Sequence, residues 1–130
     1  MAKYSITKKL ASGFDEAAGK TRAALEREGF SVLGEFRLDE AVRNGRNEAQ
    51  LMRYAVLPAL YAPLAHKAVT VETDIGLLLP SHVIVYEEDG MPTVSVMDPV
   101  IAMSMIENPA LAIIARELKE RLERVIDSIE

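Results

Sequence analysis

The sequence of 130 residues contains no cysteine and no tryptophan, and it has only two histidines, His66 and His82. The absence of cysteine excludes disulfide bonds, thiolate nucleophiles, iron–sulfur clusters and cysteine zinc sites together. The two histidines are the only side chains whose unperturbed pKa suits proton transfer near neutral pH. Acid–base or metal chemistry would therefore depend on very few residues.

The chain also has no excess of basic residues. Fifteen lysines and arginines stand against twenty acidic residues, which gives a net charge of -5. Binding to a phosphate backbone requires positive charge at the protein surface, so we predict no nucleic-acid partner. No apolar run approaches the ~20 residues of a membrane-spanning helix. Residues 1–10 are polar and charged, unlike a signal peptide, and we therefore predict no membrane association and a cytoplasmic location.

The apolar residues that are present suffice for one core. Hydrophobic residues make up 49% of the chain and charged residues 27%, a balance typical of a globular protein. The sequence contains no internal repeat and no low-complexity linker. We predict a single domain over residues 1–130.

The first part of the chain predicts a helix with one strand before it and one strand after it. Alternation over residues 3–8 indicates a short edge strand. Apolar residues then recur at steps of three and four over residues 12–28, which predicts a helix capped by Ser12 or Asp15 and closed by Gly29. The next elements are a strand over residues 30–38 and a polar connector over residues 39–50, in which Asp39 is expected to cap a short helical turn that ends at Asn44-Gly45.

The middle of the chain predicts one strand and one short helix. The nearly continuous apolar run over residues 51–58 indicates a strand that Pro58 ends. Pro63 suits the first turn of a helix, and the spacing that follows continues this helix and places His66 on it. A loop over residues 74–80 follows.

The last part predicts a hairpin and a long helix. Residues 82–97 form two strand-like apolar runs around an Asp-Gly turn, which is typical of a hairpin. Asp98 and Asn108 each precede a proline and are therefore expected to be N-cap residues. The second N-cap opens the longest helix, which extends to about Ile129.

These elements predict an α+β fold in the order β-α-β-β-α-β-β-α, with a mostly antiparallel sheet of about five strands and two long helices. Residues 82–86 are apolar on both faces of their strand, so both faces of the sheet need cover. We expect the long helices to cover one face, and the helix after Pro63 with residues 99–106 to cover part of the other. A homodimer contact would complete this cover. Three methionines suit such an adaptable surface or, alternatively, fill gaps in the core: Met97, Met103 and Met105.

The sequence resembles the family catalogued as domain of unknown function 302. The resemblance covers nearly the whole chain and rests on GFSVLGEFRLDEAV (29–42), PLAHKAV (63–69), DIGLLLPSHVIVYEEDG (74–90), VSVMDP (94–99) and NPALAIIARELKERLERVI (108–126). It implies a fold similar to the TATA-box-binding-protein class, with a curved sheet and a long C-terminal helix. Members commonly crystallise as homodimers, and no reaction is established for the family. The resemblance therefore implies a fold and an assembly.

Two segments depart from this family pattern. Residues 60–63 read Leu-Tyr-Ala-Pro where members often have Cys-Asn-Pro-Pro, and residues 79–82 read Leu-Pro-Ser-His where members often have Leu-Pro-Cys-Asn. If those thiols serve redox or metal chemistry in relatives, this chain cannot perform it in the same way; if they only pack, nothing is lost. His66 matches a histidine often present after the proline motif.

The two histidines do not form a recognisable catalytic or metal motif. His82 follows Ser81, but adjacent residues of a strand face opposite sides, so the pair is a poor nucleophile–base dyad. His66, His82 and Asp74 provide three candidate metal ligands, at a spacing too loose to predict a site. Histidines hydrogen-bonded to the backbone are the simpler interpretation. We predict no metal and no cofactor.

Arg53 and Tyr54 are neighbours on an otherwise apolar strand, so one of them faces the covered side of the sheet. A buried arginine usually pairs with a carboxylate, and Glu35 or Glu87 is the candidate partner. Binding of an acidic ligand by Arg53 is the alternative.

Because no catalytic or cofactor motif is present, we predict a homodimeric small-molecule-binding or sensing module. An apolar pocket is expected between the sheet and the long helix, with His66, His82 and Tyr86 at its mouth and Arg53 as a further ligand-binding candidate. The alternative function is an enzyme that uses His66 as general base, with or without a metal ion.

Overall fold

Six strands form one antiparallel sheet in a computed structural model of the chain, which describes residues 4–44 and 50–130. The strands are β1 (Ser5–Lys9), β2 (Ser31–Val32), β3 (Phe36–Arg37), β4 (Tyr54–Leu60), β5 (Ser81–Glu88) and β6 (Met91–Met97). Their order across the sheet is β1-β6-β5-β4-β2, and β3 pairs with β4 as well. The predicted α+β class with a mostly antiparallel sheet is confirmed.

In the described residues, five α-helices connect and cover these strands. They are α1 (Phe14–Arg27), α2 (Leu38–Asn44), α3 (Ala62–Val71), α4 (Pro99–Ala102) and α5 (Pro109–Ser128). The sequence predicts a loop over residues 74–80, but the first part of this segment belongs to a 3-10 helix, Thr73–Leu77. No helix in the described ranges combines the length and the apolarity needed to cross a membrane. Lys3 and Gly45, which belong to the first predicted strand and to the predicted connector turn, lie outside the described residues.

The two long helices pack on one face of the sheet. Helix α1 contacts β4, β5 and β6, and α5 contacts β1, β6 and α1. Alternate strand residues on this face, such as Val83 and Val85, are fully buried against helix residues such as Leu25 and Leu122. The steps of three and four along α5 place its apolar residues in this core, as the sequence predicts.

Both predicted Asx-Pro N-caps are confirmed. The Asp98 Oδ1 atom accepts a hydrogen bond from the Val100 amide at 2.8 Å, and the Asn108 Oδ1 atom accepts one from the Ala110 amide at 3.1 Å. The predicted cap of α1 is wrong, because Gly13 occupies its N-cap position and no side chain caps the helix.

The β5–β6 hairpin closes with a two-residue turn. Glu88 pairs with Met91, and the two residues between them, Asp89 and Gly90, both have positive φ angles, of 53° and 79°. This conformation is that of a type I′ turn, whose twist matches the twist of the two strands. Pro92 lies near the start of β6, as the sequence predicts.

The prediction of one strand over residues 30–38 is wrong, as is the prediction that Pro58 ends the next strand. Val32 pairs with Ala59 and Phe36 pairs with Val56, so residues 33–35 lie opposite only residues 57–58. The extra residue is a β-bulge that separates β2 from β3. Pro58 lies within β4 at this interruption, where a residue without an N–H group is tolerated.

The prediction that α3 and residues 99–106 cover the second face of the sheet is also wrong. Helices α3 and α4 both pack on α5, and their buried residues, such as Leu64 and Met103, belong to the core on the first face. We call the second face the open face. It presents the side chains that alternate with the core residues of the central strands: Tyr54, Val56, Pro58, His82, Ile84, Tyr86, Thr93, Ser95 and Met97.

Candidate functional site

A cavity of about 310 Å³ lies between the sheet and α4. The start of β5 and the end of β6 form one side, and the segment that follows the 3-10 helix forms another. Leu118 of α5 contributes to its wall. We call it the β5–α4 cavity, and the side chains that line it are Leu77, Leu78, Leu79, Pro80, Ser81, His82, Val96, Met97, Pro99, Ala102, Met103 and Leu118.

The cavity is apolar except at the start of β5, where Ser81 and His82 supply its polar side chains. Ser81 shares the core-facing side of the strand with Val83, whereas His82 shares the open face with Ile84. Both border the cavity because it lies at the end of the sheet. The hydroxyl and the imidazole thus provide hydrogen-bonding groups at one end of an otherwise apolar wall.

An ion pair between a buried carboxylate and a partly exposed lysine joins α4 to α5 beside the cavity. Asp98, between the wall residues Met97 and Pro99, is only 7% exposed, and its Oδ2 atom lies 3.0 Å from the Lys119 Nζ atom. The hydrogen bond with Asp98 raises the pKa of Lys119. Asp98 therefore both caps α4 and fixes it against α5. The sequence predicts the cap but gives no sign of Lys119 as its partner.

The structure brings only one of the four predicted ligand-binding residues to this cavity. His66 is exposed on α3. Tyr86 lies on the open face, and Arg53 is an exposed residue whose Nε atom lies 4.0 Å from a carboxylate oxygen of Glu87. Of the four predicted residues, only His82 lines the cavity. The expected group of His66, His82 and Tyr86 at its mouth is therefore not formed.

Tyr86 belongs to a separate depression on the open face. Its ring stacks on that of Tyr54, with the centroids 5.8 Å apart, and Tyr4 borders the same depression of about 360 Å³. Burial is the main cause that raises the pKa of Tyr54, with smaller effects of Tyr86 and Tyr4. The Thr7 and Ser95 hydroxyls lie 2.9 Å apart at this depression. It is a shallow, aromatic part of the sheet surface.

No metal cluster is formed by the part of the chain that the structure describes. Within those ranges, no three histidine, aspartate or glutamate side chains lie close enough together to hold an ion. His66, His82 and Asp74 therefore do not meet.

Comparison with known proteins identifies the family. A sequence profile of the family described as domain of unknown function DUF302 matches residues 6–129. The chain belongs to the DUF302 family. The crystal structure of an uncharacterized conserved DUF302 protein from Bacillus stearothermophilus is similar in fold, with a TM-score of 0.92 and 24% sequence identity over 99% of this chain and 100% of that chain. No curated protein matches the chain.

The two positions at which the DUF302 resemblance implies cysteine lie close together. Ala59 pairs with Ser81 across β4 and β5, so Leu60 and Ser81 are near neighbours. Both border a water-sized void of about 10 Å³ between β4, α3 and α5. Ser81 borders the β5–α4 cavity as well. The departure from the DUF302 pattern therefore alters one wall of the candidate site.

Proposed function

We propose that this DUF302 protein is a small-molecule-binding module whose ligand occupies the β5–α4 cavity. The observation that carries this proposal is a cavity of about 310 Å³ with apolar walls and polar side chains at one end. This size and composition are typical of small-molecule sites, in which apolar walls provide affinity and a few polar groups fix the orientation. His66 is not part of the proposal, because it lies on α3 outside the cavity.

The composition of the wall specifies a ligand with an apolar body and one hydrogen-bonding head. Leucine, proline, valine and methionine side chains surround the body of the ligand. The head lies at Ser81 and His82, since the serine hydroxyl donates and accepts hydrogen bonds and the imidazole does so as well. Met97 and Met103 can adjust their rotamers to ligands of different shape.

We further propose that the module is a homodimer that associates through the open face. Phe36, which pairs with Val56 beside this face, is 50% exposed, and Met97 is 46% exposed. The central residues of the face, Ile84 and Tyr86, are half-buried. A second copy would remove this apolar surface from water, and a two-fold contact needs only that the face complements itself.

Thermal unfolding with octanoate and octanol as probes tests ligand binding. Both should raise the unfolding midpoint of the wild-type protein, because a ligand that binds only the folded state stabilises it. His82→Ala should reduce the shift caused by octanoate more than the shift caused by a purely apolar probe such as octane. A wild-type protein whose midpoint changes with neither octanoate nor octanol would contradict the proposal.

A further inference from the structure

A second groove lies on the other side of α4, where the chain turns into α5. Its volume is about 440 Å³, and it is separate from the β5–α4 cavity except for Met103, which borders both. We call it the α4–α5 groove. The side chains that line it are Val100, Met103, Ser104, Ile106, Glu107, Asn108, Pro109, Ala112, Ala115 and Arg116.

The floor of this groove is apolar and packs against the core. Met103 and Ala115 are buried in the core, and Val100 and Ile106 pack against it. The groove also includes Pro109 and Ala112 from the first turns of α5. An apolar group bound here would therefore meet a preformed surface.

Two of the polar groups in the groove are already hydrogen-bonded within the protein. The Ser104 hydroxyl donates to the Ile101 carbonyl at 2.7 Å. The Asn108 amide nitrogen donates to the Val71 carbonyl at 2.9 Å, and its oxygen caps α5. Neither of these side chains is free to be the principal partner of a ligand.

The remaining polar groups are two opposite charges that do not pair with each other. Glu107 and Arg116 are both exposed and line the same groove, yet neither forms a salt bridge to any residue within 4–44 or 50–130. The other basic residues of α5 differ, because each of them has a carboxylate within 4.0 Å. The three pairs are Lys119 with Asp98; Arg121 with Glu117; and Arg124 with Glu28.

Glu107 and Arg116 border the same groove, one just before the start of α5 and the other in its third turn. Glu107 precedes the N-cap of α5, and Arg116 lies seven residues after Pro109, roughly 10 Å along the helix axis. A helical arginine side chain points back towards the N-terminus of its helix, so its guanidinium approaches the end of the groove that carries Glu107. A small ligand can therefore contact both charges and the apolar floor together.

We propose that the α4–α5 groove binds a zwitterionic ligand with an apolar body, of the class of apolar α-amino acids. The carboxylate of the ligand accepts hydrogen bonds from the Arg116 guanidinium, whose planar fork matches a carboxylate. The ammonium of the ligand donates to the Glu107 carboxylate, and the apolar side chain lies on the floor. This site is distinct from the cavity of the proposed function and binds a different class of molecule.

Calorimetric titration of the full chain with L-leucine tests this assignment, with two analogues that each lack one charge. Leucinamide lacks the carboxylate, and 4-methylpentanoate lacks the ammonium. Leucine should bind roughly tenfold more tightly than either analogue, because only leucine has both charged groups and each analogue loses one charged hydrogen bond. Failure of the wild-type protein to bind leucine would overturn the proposal.

The variants Arg116→Gln and Glu107→Gln assign each charge to its partner. Arg116→Gln should weaken leucine and 4-methylpentanoate roughly tenfold and leave leucinamide unchanged, whereas Glu107→Gln should weaken leucine and leucinamide and leave 4-methylpentanoate unchanged. Arg27→Gln, at an exposed residue in the last turn of α1, is the control and should change none of the three affinities. Equal effects of a groove variant on all three probes, or no effect on leucine, would overturn the proposal. The cavity of the proposed function is lined by neither residue, so the two proposals fail independently.

Discussion

Asp39 is a buried carboxylate that joins the connector helix to the sheet. Its Oδ1 atom accepts a hydrogen bond from the Arg37 Nε atom at 2.8 Å, and its Oδ2 atom accepts one from the Arg37 Nη2 atom at 2.6 Å. The Tyr54 amide at the start of β4 also donates to Oδ1, at 3.2 Å. The Arg37 guanidinium in turn lies 5.0 Å from the centre of the Phe14 ring. The sequence predicts Asp39 only as a cap, because the arginine that pairs with it belongs to an irregular, bulged strand.

The substitution Asp39→Asn should destabilise the fold by about 2 kcal/mol at neutral pH, because it removes the buried negative charge that pairs with the partly buried Arg37 guanidinium. The hydrogen bond with Arg37 lowers the pKa of Asp39 below its ordinary value of 3.8. The pair therefore stabilises the folded state above about pH 4, and this contribution is lost as the pH falls through the folded-state pKa. Urea denaturation from about pH 7 to about pH 3 measures the difference between variant and wild type.

That difference should be constant near neutral pH and should shrink below about pH 4. Asp127→Asn, at an exposed position of α5, is the control and should change stability by less than about 0.5 kcal/mol. A difference between Asp39→Asn and wild type that does not depend on pH would contradict this account of the ion pair.

At the scale of elements, helices and the hairpin were predictable because their signals are local. The steps of three and four along α5, the Asp98 and Asn108 caps, and the turn at residues 89–90 each need only neighbouring residues. The division of residues 30–38 into β2 and β3 was not predictable, since it depends on the register with β4 and on Pro58 across the ladder. The packing of α3 and α4 on α5, rather than on the second face, likewise depends on contacts distant in sequence.

The hairpin turn provides a prediction at this scale. Gly90→Ala should destabilise the protein by about 1 kcal/mol, because a residue with a Cβ atom is strained at a φ of 79°. The added Cβ atom itself has space, since no atom beyond the neighbouring residues lies within 4 Å of its position. Gly19→Ala is the matched control, since Gly19 lies inside α1 with equally free space around it. It should stabilise the protein by a similar amount. Chemical denaturation of both variants measures the two effects, and a destabilisation by Gly19→Ala or a neutral Gly90→Ala would contradict the assignment.

At the scale of the whole molecule, the two long helices of the described residues lie on one side of the sheet, and the proposed association uses the open face on the other side. The sequence predicts that residues 82–86 are apolar on both faces of their strand. In the structure, Ile84 and Tyr86 of this segment lie half-buried on the open face. Of the candidate site, the sequence predicts an apolar pocket beside the sheet and the presence of His82. It does not predict that His66, Tyr86 and Arg53 lie elsewhere, since their separation depends on how the elements pack.

The proposed homodimer provides a prediction at this scale. Ile84→Glu should convert the dimer to a monomer, because it places a charge at the centre of the open face, between Val56 and Ser95. Leu77→Glu replaces another exposed apolar residue, 86% exposed on the 3-10 helix and outside the open face, and should leave the dimer intact. Sedimentation equilibrium gives the mass of each protein. A monomeric wild type, or an Ile84→Glu variant that remains dimeric, would contradict the proposed interface.

The most direct test of the central claim, a ligand in the β5–α4 cavity, is native mass spectrometry of the protein purified from cells. Ala102→Phe fills the cavity from its α4 wall, whereas Ala23→Phe adds the same side chain at an exposed position of α1 and serves as the control. Comparison of their denaturation curves with that of the wild type establishes that both are folded. Wild type and Ala23→Phe should retain a bound small molecule of the same mass, and Ala102→Phe should not. A wild-type protein free of ligand, or an Ala102→Phe variant that retains the same ligand, would contradict the claim.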